Sequence, residues 1–192
     1  MNRDPNGNHP IPEDIDSLEE EARSLELDLA PDPDSEELDI GEVNAKNWRD
    51  YEDIATNSLW IIGSRSREGV HTGKYHGNFV PQIPYQAIRR FTKPGDVVLD
   101  TFLGSGTTLI ECRKLGRHGL GIELIDSIAE EAKELIDKAK NPHNTGQEII
   151  QGDSTIEETI NGVRQTLAAH GRNKVQLLIM HPPSIPSPFK RY

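Results

Sequence analysis

A glycine turn, Gly104-Ser105-Gly106, is the stretch of this chain best suited to contact a ligand. It follows residues 97–100, a short apolar run that ends in Asp100 and is typical of a buried strand. A helical pattern from Thr107 to Leu115 comes next. Glycines let backbone approach a ligand closely, and the first turn of a helix offers unpaired N–H groups. The stretch therefore predicts the first half of a nucleotide-binding α/β unit.

A second acid supports the same kind of site. Residues 118–123 predict another strand, and this strand ends in Glu123. An acid at the end of the second strand of such a unit can accept hydrogen bonds from both hydroxyls of a ribose. Glu123 lies 23 residues after Asp100, which is close to the separation that such units show.

Two common nucleotide loops are excluded by the spacing. A dinucleotide fingerprint has a third glycine three residues after the second, and Leu109 stands there. A phosphate-binding P-loop needs a Gly-Lys-Ser/Thr sequence, and no such lysine follows these glycines.

The full string Asp-x-Phe-x-Gly-Ser-Gly-Thr-Thr resembles the S-adenosylmethionine loop of the DNA amino-methyltransferases. These enzymes methylate the exocyclic amino group of adenine or cytosine. The resemblance covers about residues 57–184 and implies that this chain binds S-adenosylmethionine. It implies cofactor contacts at the two acids and along the loop, namely Asp100, Phe102, Gly104, Ser105, Gly106, Thr107 and Glu123.

Two further parts of the chain resemble cofactor-contacting segments of the family. The first part precedes the glycine loop and begins with an aromatic residue and a proline. A predicted helix follows, with Ile83, Ala87, Ile88 and Phe91 at helical spacing, and the sequence Pro-Gly-Asp then leads into the first strand. The resemblance implies that Phe79 and Pro81 contact the methionine part of the cofactor, although Phe79 also suits a core position. After a third predicted strand, 148–151, Asp153 stands where the family contacts adenine, and it equally suits the cap of a helix over 155–170.

A fourth predicted strand, 175–180, is almost wholly apolar, so we expect it inside the sheet. It delivers His181-Pro182-Pro183-Ser184 to the carboxyl edge, where the family has its catalytic tetrapeptide of Asp, Asn or Ser, two prolines and an aromatic. The first residue and a proline carbonyl accept hydrogen bonds from the target amino group, and the aromatic stacks on the flipped base. His181 can still accept one hydrogen bond, whereas Ser184 cannot stack, a loss of about 1–3 kcal/mol.

Composition separates the chain into two parts. Residues 1–45 carry 15 Asp and Glu against two Lys and Arg, while the other residues carry 17 acids and 19 bases, so the net charge of −11 resides in the first part. Residues 1–45 therefore predict a disordered acidic leader, and residues 46–192 a partial methyltransferase cofactor-binding domain. One cysteine excludes an internal disulfide, no metal site is indicated, and no run is long enough to cross a membrane, which favours a cytoplasmic protein.

These observations predict an α/β, Rossmann-like, S-adenosylmethionine-dependent methyltransferase fold with strand order 3-2-1-4, incomplete at its C-terminus. The family has further strands and a target-recognition region after the tetrapeptide, and residues 185–192 do not resemble them. The first hypothesis is a site-specific DNA methyltransferase, as in restriction-modification. The second is a catalytically incomplete cofactor-binding fragment or subunit, for which a second chain supplies the missing strands and the DNA contacts. A methyltransferase acting on RNA or a small molecule is a weaker third.

Overall fold

The computed structural model describes residues 40–71 and 80–182. After a short 3-10 turn at Trp48–Asp50, helices and strands alternate along the chain. The helices are α1 (Gln82–Phe91), α2 (Thr107–Lys114), α3 (Asp126–Lys138) and α4 (Glu157–Ala169), and the strands are β1 (Val97–Asp100), β2 (His118–Glu123), β3 (Gln147–Gln151) and β4 (Leu177–Ile179). The bounds of the four strands, of α2 and of α4 lie within two residues of the predicted ones.

The four strands form one parallel sheet in the order β3-β2-β1-β4. The predicted order and the α/β, Rossmann-like fold class are therefore confirmed. Because all strands run the same way, their carboxyl ends share one edge of the sheet, which is where ligands bind in folds of this kind. Pairing brings Asp100 opposite both Gly121 of β2 and Ile179 of β4.

Helices cover both faces of the sheet. Val98 of β1 packs with Tyr85 and Ile88 of α1 and with Cys112 of α2, whereas its neighbour Val97 packs with α4 on the other face. Helix α3 lies on the first face, against α2. Side chains alternate along a strand, so Asp100 shares the face of Val98 and points toward the α1–α2 layer.

Two glycines in β2 let α2 and the loop before it lie close to the sheet. A Cβ atom on Gly121 would lie 2.7 Å from Cδ2 of Leu103, and one on Gly119 would lie 2.7 Å from Cγ of Leu109. Both distances are shorter than real contacts allow. The small residues of this strand therefore fix the height of the glycine loop above the sheet.

The buried face of α1 differs from the predicted one. Ile83 and Phe91 are 36% and 62% exposed, and the helix buries Tyr85, Gln86 and Arg89 beside Ile88 instead. These polar side chains are buried because the chain segment before the helix packs against it and provides hydrogen-bond partners. Apolar spacing alone therefore gave the wrong face.

The buried polar side chains of α1 and their surroundings form a group that we call the arginine network. Its members are Asp53, Tyr85, Gln86, Arg89 and Arg117. The Asp53 carboxylate accepts from the Tyr85 hydroxyl at 2.6 Å and from Nε of Arg89 at 2.9 Å. Gln86 donates to the Asp53 carbonyl at 2.5 Å and accepts from the Ala55 N–H at 2.8 Å. Arg117 donates to the carbonyls of Thr92 and Ile40 at 2.8 and 3.0 Å.

The amino-terminal part of the described chain is thus tied to the fold. Ile40 packs against the core cluster of α1 and α2. The domain division at residue 45 stays a prediction, but at least residues 40 and 41 contact the folded part through Arg117 and Arg89.

Strand β4 is shorter than predicted and lies at an edge of the described sheet rather than inside it. Leu178 and Met180 are 46% and 65% exposed there. Among residues 40–71 and 80–182, no helix has both the length and the apolar character needed to cross a membrane.

Candidate functional site

The carboxyl edge of the sheet collects the acids that the sequence singles out. Asp100 ends β1, Glu123 ends β2, Asp153 follows β3, and His181 follows β4. Asp100 interacts electrostatically with both Glu123 and His181. The fold therefore brings three residues from separate parts of the sequence to one site beside the glycine turn.

The glycine turn has the backbone that its sequence predicts. Gly104 and Gly106 have φ values of 54° and 82°, in the left-handed region that favours glycine. Gly106 caps α2, and a Cβ atom there would lie 2.9 Å from Cδ1 of Ile136 on α3. Ser105 between the two glycines is buried, and so is Thr107, the first residue of α2. The turn thus presents backbone, rather than side chains, at the start of α2.

Glu123 holds this turn in place. Its carboxylate is buried, and one oxygen accepts from the Gly104 N–H at 2.9 Å while the other accepts from the Ile125 N–H at 3.0 Å. The sequence predicted a ribose contact for Glu123 but not this second role. A carboxylate has about four acceptor positions, so both oxygens can still accept hydroxyl donors.

Asp100 is the most buried acid of the site, with 1% of its surface exposed. Its Oδ1 accepts from the Phe102 N–H at 3.0 Å. Burial raises the pKa of Asp100; the Thr108 hydroxyl, the Phe102 N–H and the His181 imidazole lower it, and Glu123 raises it to a lesser extent. A carboxylate in such surroundings is stabilised by any cationic group that comes within contact distance.

Asp153 is in a different environment. Its carboxylate accepts from both the N–H and the hydroxyl of Thr155, at 2.8 and 2.7 Å. The Thr155 hydroxyl and N–H lower the pKa of Asp153. Helix α4 begins at Glu157, two residues later than predicted, because Asp153 closes a turn ahead of the helix. The adenine contact stays a prediction.

The remaining predicted residues divide into two groups. Pro81 is buried before α1, where its carbonyl accepts from the Tyr85 N–H at 3.0 Å, Phe102 is half-buried, and Pro182 is exposed beside His181. The other predicted positions, Phe79, Pro183 and Ser184, lie outside the described residues.

Sequence reasoning missed an apolar component of this edge. Leu124 and Ile125 follow Glu123 directly and are 63% and 52% exposed, and Ile156 beyond Asp153 is 45% exposed. An apolar pair directly after a strand-ending acid is the pattern that could have identified them. In the part of the chain that the structure describes, no group of three His, Cys, Asp or Glu residues could hold a metal ion.

The sequence of this chain is similar to those of known DNA methyltransferases. The profile of a DNA methylase family of the N6/N4 type matches residues 19–134. The type II methyltransferase M.MjaII of Methanocaldococcus jannaschii is 39% identical over 56 residues, which are 29% of this chain and 10% of that protein. The type II methyltransferase M.BglI of Bacillus subtilis is 31% identical over 86 residues, 45% of this chain and 23% of that protein.

Among solved structures, a DNA modification methylase of Thermus thermophilus, crystallised with S-adenosyl-L-methionine, is 39% identical over 38% of this chain and 30% of its own, with a TM-score of 0.34. At that TM-score the fold assignment rests on the sheet topology above and not on the neighbour. The chain spans at most about a third of the length of these relatives. The family profile, however, covers more than half of the chain, and the chain therefore belongs to the DNA methylase family of the N6/N4 type.

Proposed function

We propose that this chain binds S-adenosylmethionine at the carboxyl edge of its sheet and transfers the methyl group to the exocyclic amino group of adenine or cytosine in DNA. The observation that carries the proposal is the glycine turn held by Glu123, with the buried Asp100 beside it. Membership of the DNA methylase family supports the same reaction class. A cytoplasmic location and a role in restriction-modification belong to this proposal.

The residues present fit the cofactor chemically. S-adenosylmethionine carries two cationic groups, a ribose with two hydroxyls, and an adenine, and when bound it supplies a methyl group activated by a sulfonium sulfur. Asp100 is a buried carboxylate suited to a cationic group, and Glu123 has acceptors for the ribose hydroxyls. Asp153 offers an acceptor for the adenine amino group, and the exposed Ile125 offers an apolar surface for its ring.

The residues after β4 are those that we assign to the target base in DNA. His181 and the Pro182 carbonyl would accept hydrogen bonds from the target amino group and hold its nitrogen toward the methyl group. Both residues are exposed at the edge of the sheet, on the same side as the glycine turn. DNA is therefore the partner that we propose for this edge.

A second candidate function is a cofactor-binding subunit that a second chain completes. The specific observation behind it is β4, which lies at the edge of the described sheet with Leu178 exposed, as is Met180 directly after the strand. An apolar strand edge of this kind is available for pairing with a strand from another chain. In that case the cofactor site is retained, and DNA recognition comes from the partner.

Calorimetric titration with S-adenosylmethionine tests the cofactor site. We expect the wild-type chain to bind and Asp100→Ala to lose binding, while Asp137→Ala on the exposed side of α3 binds like the wild type. Absence of binding by a wild-type chain that circular dichroism shows to be folded would contradict the proposal. Transfer of labelled methyl groups to unmethylated genomic DNA then separates the two candidates, because only the complete enzyme methylates DNA without another chain.

A further inference from the structure

A basic segment, Ser64-Arg65-Ser66-Arg67, lies beside the first turn of α1, and we call residues 64–67 the basic loop. Gln82, the first residue of α1, holds this loop on both sides of Arg65. The side-chain amide of Gln82 donates to the Ser64 carbonyl at 2.8 Å, and its oxygen accepts from the Ser66 N–H at 3.2 Å. Two hydrogen bonds from one side chain therefore fix the backbone of the loop against the helix.

The direction of α1 places its first residue toward the carboxyl edge of the sheet. Arg117, directly before β2, donates to the carbonyl of Thr92, directly after α1, at 2.8 Å, so the end of the helix lies at the amino edge. The 10 residues of α1 span about 15 Å, and the four residues of β1 span about 13 Å. Because α1 packs on the face of β1 and β4, with Tyr85 in the cluster that Ile179 joins, the helix reaches from one edge to the other.

The chain before the basic loop follows α1 between the same two edges. Trp60 lies near the end of the helix, where the guanidinium of Arg90 is 5.6 Å from the centre of its ring. Six residues later, the Ser66 N–H donates to Gln82 at the start of the helix. The basic loop therefore lies toward the edge that carries the glycine turn and His181.

The positive charge of the basic loop is not balanced within the loop. Glu68 is paired with Nζ of Lys114 at 2.6 Å, so its charge is compensated by α2. Arg67 is exposed, and among the described residues no carboxylate lies within ion-pair distance of it. Arg65, two residues away, is half-buried and adds a second guanidinium. A chain with a net charge of −11 has to meet a polyanion at a local cationic surface, and the basic loop is such a surface.

We propose that the basic loop binds the phosphate backbone of the DNA strand that carries the target base, through the guanidinium groups of Arg65 and Arg67. The inference rests on the proposed function, because it adds a backbone contact at the same DNA-facing edge. A guanidinium presents paired N–H donors that match two oxygens of one phosphate. Phosphate contacts fix the position of a protein on DNA without reading the bases, so the loop positions the strand while the residues after β4 hold the base.

The salt dependence of DNA binding tests the contact. Fluorescence anisotropy of a labelled random-sequence DNA duplex, titrated with the full chain at several salt concentrations, gives the slope of log K against log salt. We expect Arg67→Gln to weaken binding about tenfold and to make this slope less steep by about 1, whereas Arg67→Lys keeps the charge and the wild-type slope. A wild-type slope in Arg67→Gln, or no binding of the duplex by the folded wild type, would overturn the proposal.

Lys174→Gln is the matched control. Lys174 is an exposed cation three residues before β4, at the amino edge, so its removal changes the net charge by the same amount at the far side of the sheet. We expect its slope to equal the wild-type slope. Equal changes in Arg67→Gln and Lys174→Gln would mean that only the net charge matters, and this would contradict a contact at the basic loop.

Gln82→Leu tests the placement of the loop without a change in charge. The variant lacks both hydrogen bonds to the loop, so the loop has to be ordered when DNA binds, and binding should weaken. Circular dichroism establishes that the variant is folded. Wild-type affinity in a folded Gln82→Leu would contradict the placement from which the contact is inferred.

Calorimetry and methylation assays keep the two proposals distinguishable. The loop is not assigned to the cofactor, so Arg67→Gln should bind S-adenosylmethionine like the wild type and should raise the KM for DNA with kcat unchanged. A wild type that binds the duplex with an Arg67-dependent slope but transfers no methyl group contradicts the proposed function and leaves the backbone contact standing. Tighter Arg67-dependent binding of a single-stranded RNA of the same length would overturn DNA as the partner.

Discussion

The glycine edge and the arginine network are built in opposite ways. At the glycine edge, by which we mean the glycine turn at residues 104–106 with Asp100, Glu123 and Asp153, the carboxylates that we assign to the cofactor stand at or after the ends of strands, and the turn has a local backbone that glycine allows. One long-range hydrogen bond, from the Gly104 N–H to the Glu123 carboxylate, holds the turn. In the arginine network, long polar side chains make hydrogen bonds to groups 25 to 77 residues away in sequence. The glycine turn is therefore a local structure with one long-range hydrogen bond, whereas the arginine network consists of long-range hydrogen bonds.

The two regions therefore have different roles: the arginine network contributes to the stability of the fold, and the glycine edge to binding of the cofactor. The network secures the segment before α1 to α1 itself and to Arg117, which directly precedes β2. The glycine edge instead presents the carboxylates that we assign to the cofactor. Damage to the network should therefore reduce the free energy of unfolding, and damage to the edge should reduce binding.

The largest effect is expected for Asp53→Ala. This change leaves the fully buried Arg89 without its carboxylate and the Tyr85 hydroxyl without its acceptor. Removing one partner of a buried ion pair costs about 3–5 kcal/mol, so we expect a loss of that size in the free energy of unfolding from urea titration. Binding of S-adenosylmethionine per folded molecule should stay unchanged.

The matched control is Asp137→Ala, which removes a carboxylate that is 59% exposed and paired with the exposed Lys133 at 2.9 Å and with Arg113 at 3.8 Å. A pair of that kind contributes about 0.2–1 kcal/mol. Equal losses from the two variants would show that the arginine network is not the stabilising group that its burial indicates.

A smaller loss of stability, with a complete loss of binding, is expected for Gly106→Ala. Alanine at φ 82° costs about 1–3 kcal/mol, and its Cβ would also press against Ile136. Gly95→Ala is the matched control, because Gly95 has the same φ of 82° and nothing within 4 Å of a Cβ position. We expect Gly95→Ala to destabilise the chain but to bind cofactor normally in calorimetry, and binding by Gly106→Ala would contradict the assigned role of the turn.

The same contrast explains what the sequence could predict. The strands and the glycine turn follow from apolar runs, turn residues and spacing, which act over short distances, whereas the strand order was implied by the resemblance to the methyltransferase fold. The buried face of α1 could not be predicted, because Gln86 and Arg89 become buried only through Asp53 and Ala55, more than 30 residues earlier. The bond from Glu123 to the Gly104 N–H was missed for the same reason, since it depends on how β1 and β2 pair.

Glu123→Gln tests the one long-range bond of the glycine edge. The carboxylate accepts from two N–H groups with its two oxygens, whereas an amide has one oxygen and would direct its NH₂ group at the other donor. An unsatisfied buried donor costs about 1–3 kcal/mol, and we expect a stability loss at the lower end of that range. Cofactor affinity should fall by more than in the control Glu134→Gln, on the exposed side of α3, which should leave both unchanged.

The smallest effects concern two carboxylates of the same edge, whose pKa values are shifted in opposite directions. Burial raises the pKa of Asp100, so the folded state holds this proton more tightly than the unfolded state with its value of 3.8. The resulting stability is complete below pH 3.8 and is lost as pH rises through the raised pKa, so the wild type should lose stability relative to Asp100→Asn toward pH 7.

Asp153 should behave in the reverse way. Hydrogen bonds from Thr155 lower its pKa, so its contribution is present above 3.8 and is lost as pH falls through the lowered value. The wild type should therefore lose stability relative to Asp153→Asn from about pH 5 downward. Urea titrations of both variants between pH 3 and pH 7 give the two differences directly. For each acid, the quantity of interest is the difference in the free energy of unfolding between the wild type and the variant, followed as pH rises. If this difference changed in the same direction for Asp100 and Asp153, the two acids would share one kind of environment. Changes in opposite directions are expected for one buried acid and one hydrogen-bonded surface acid.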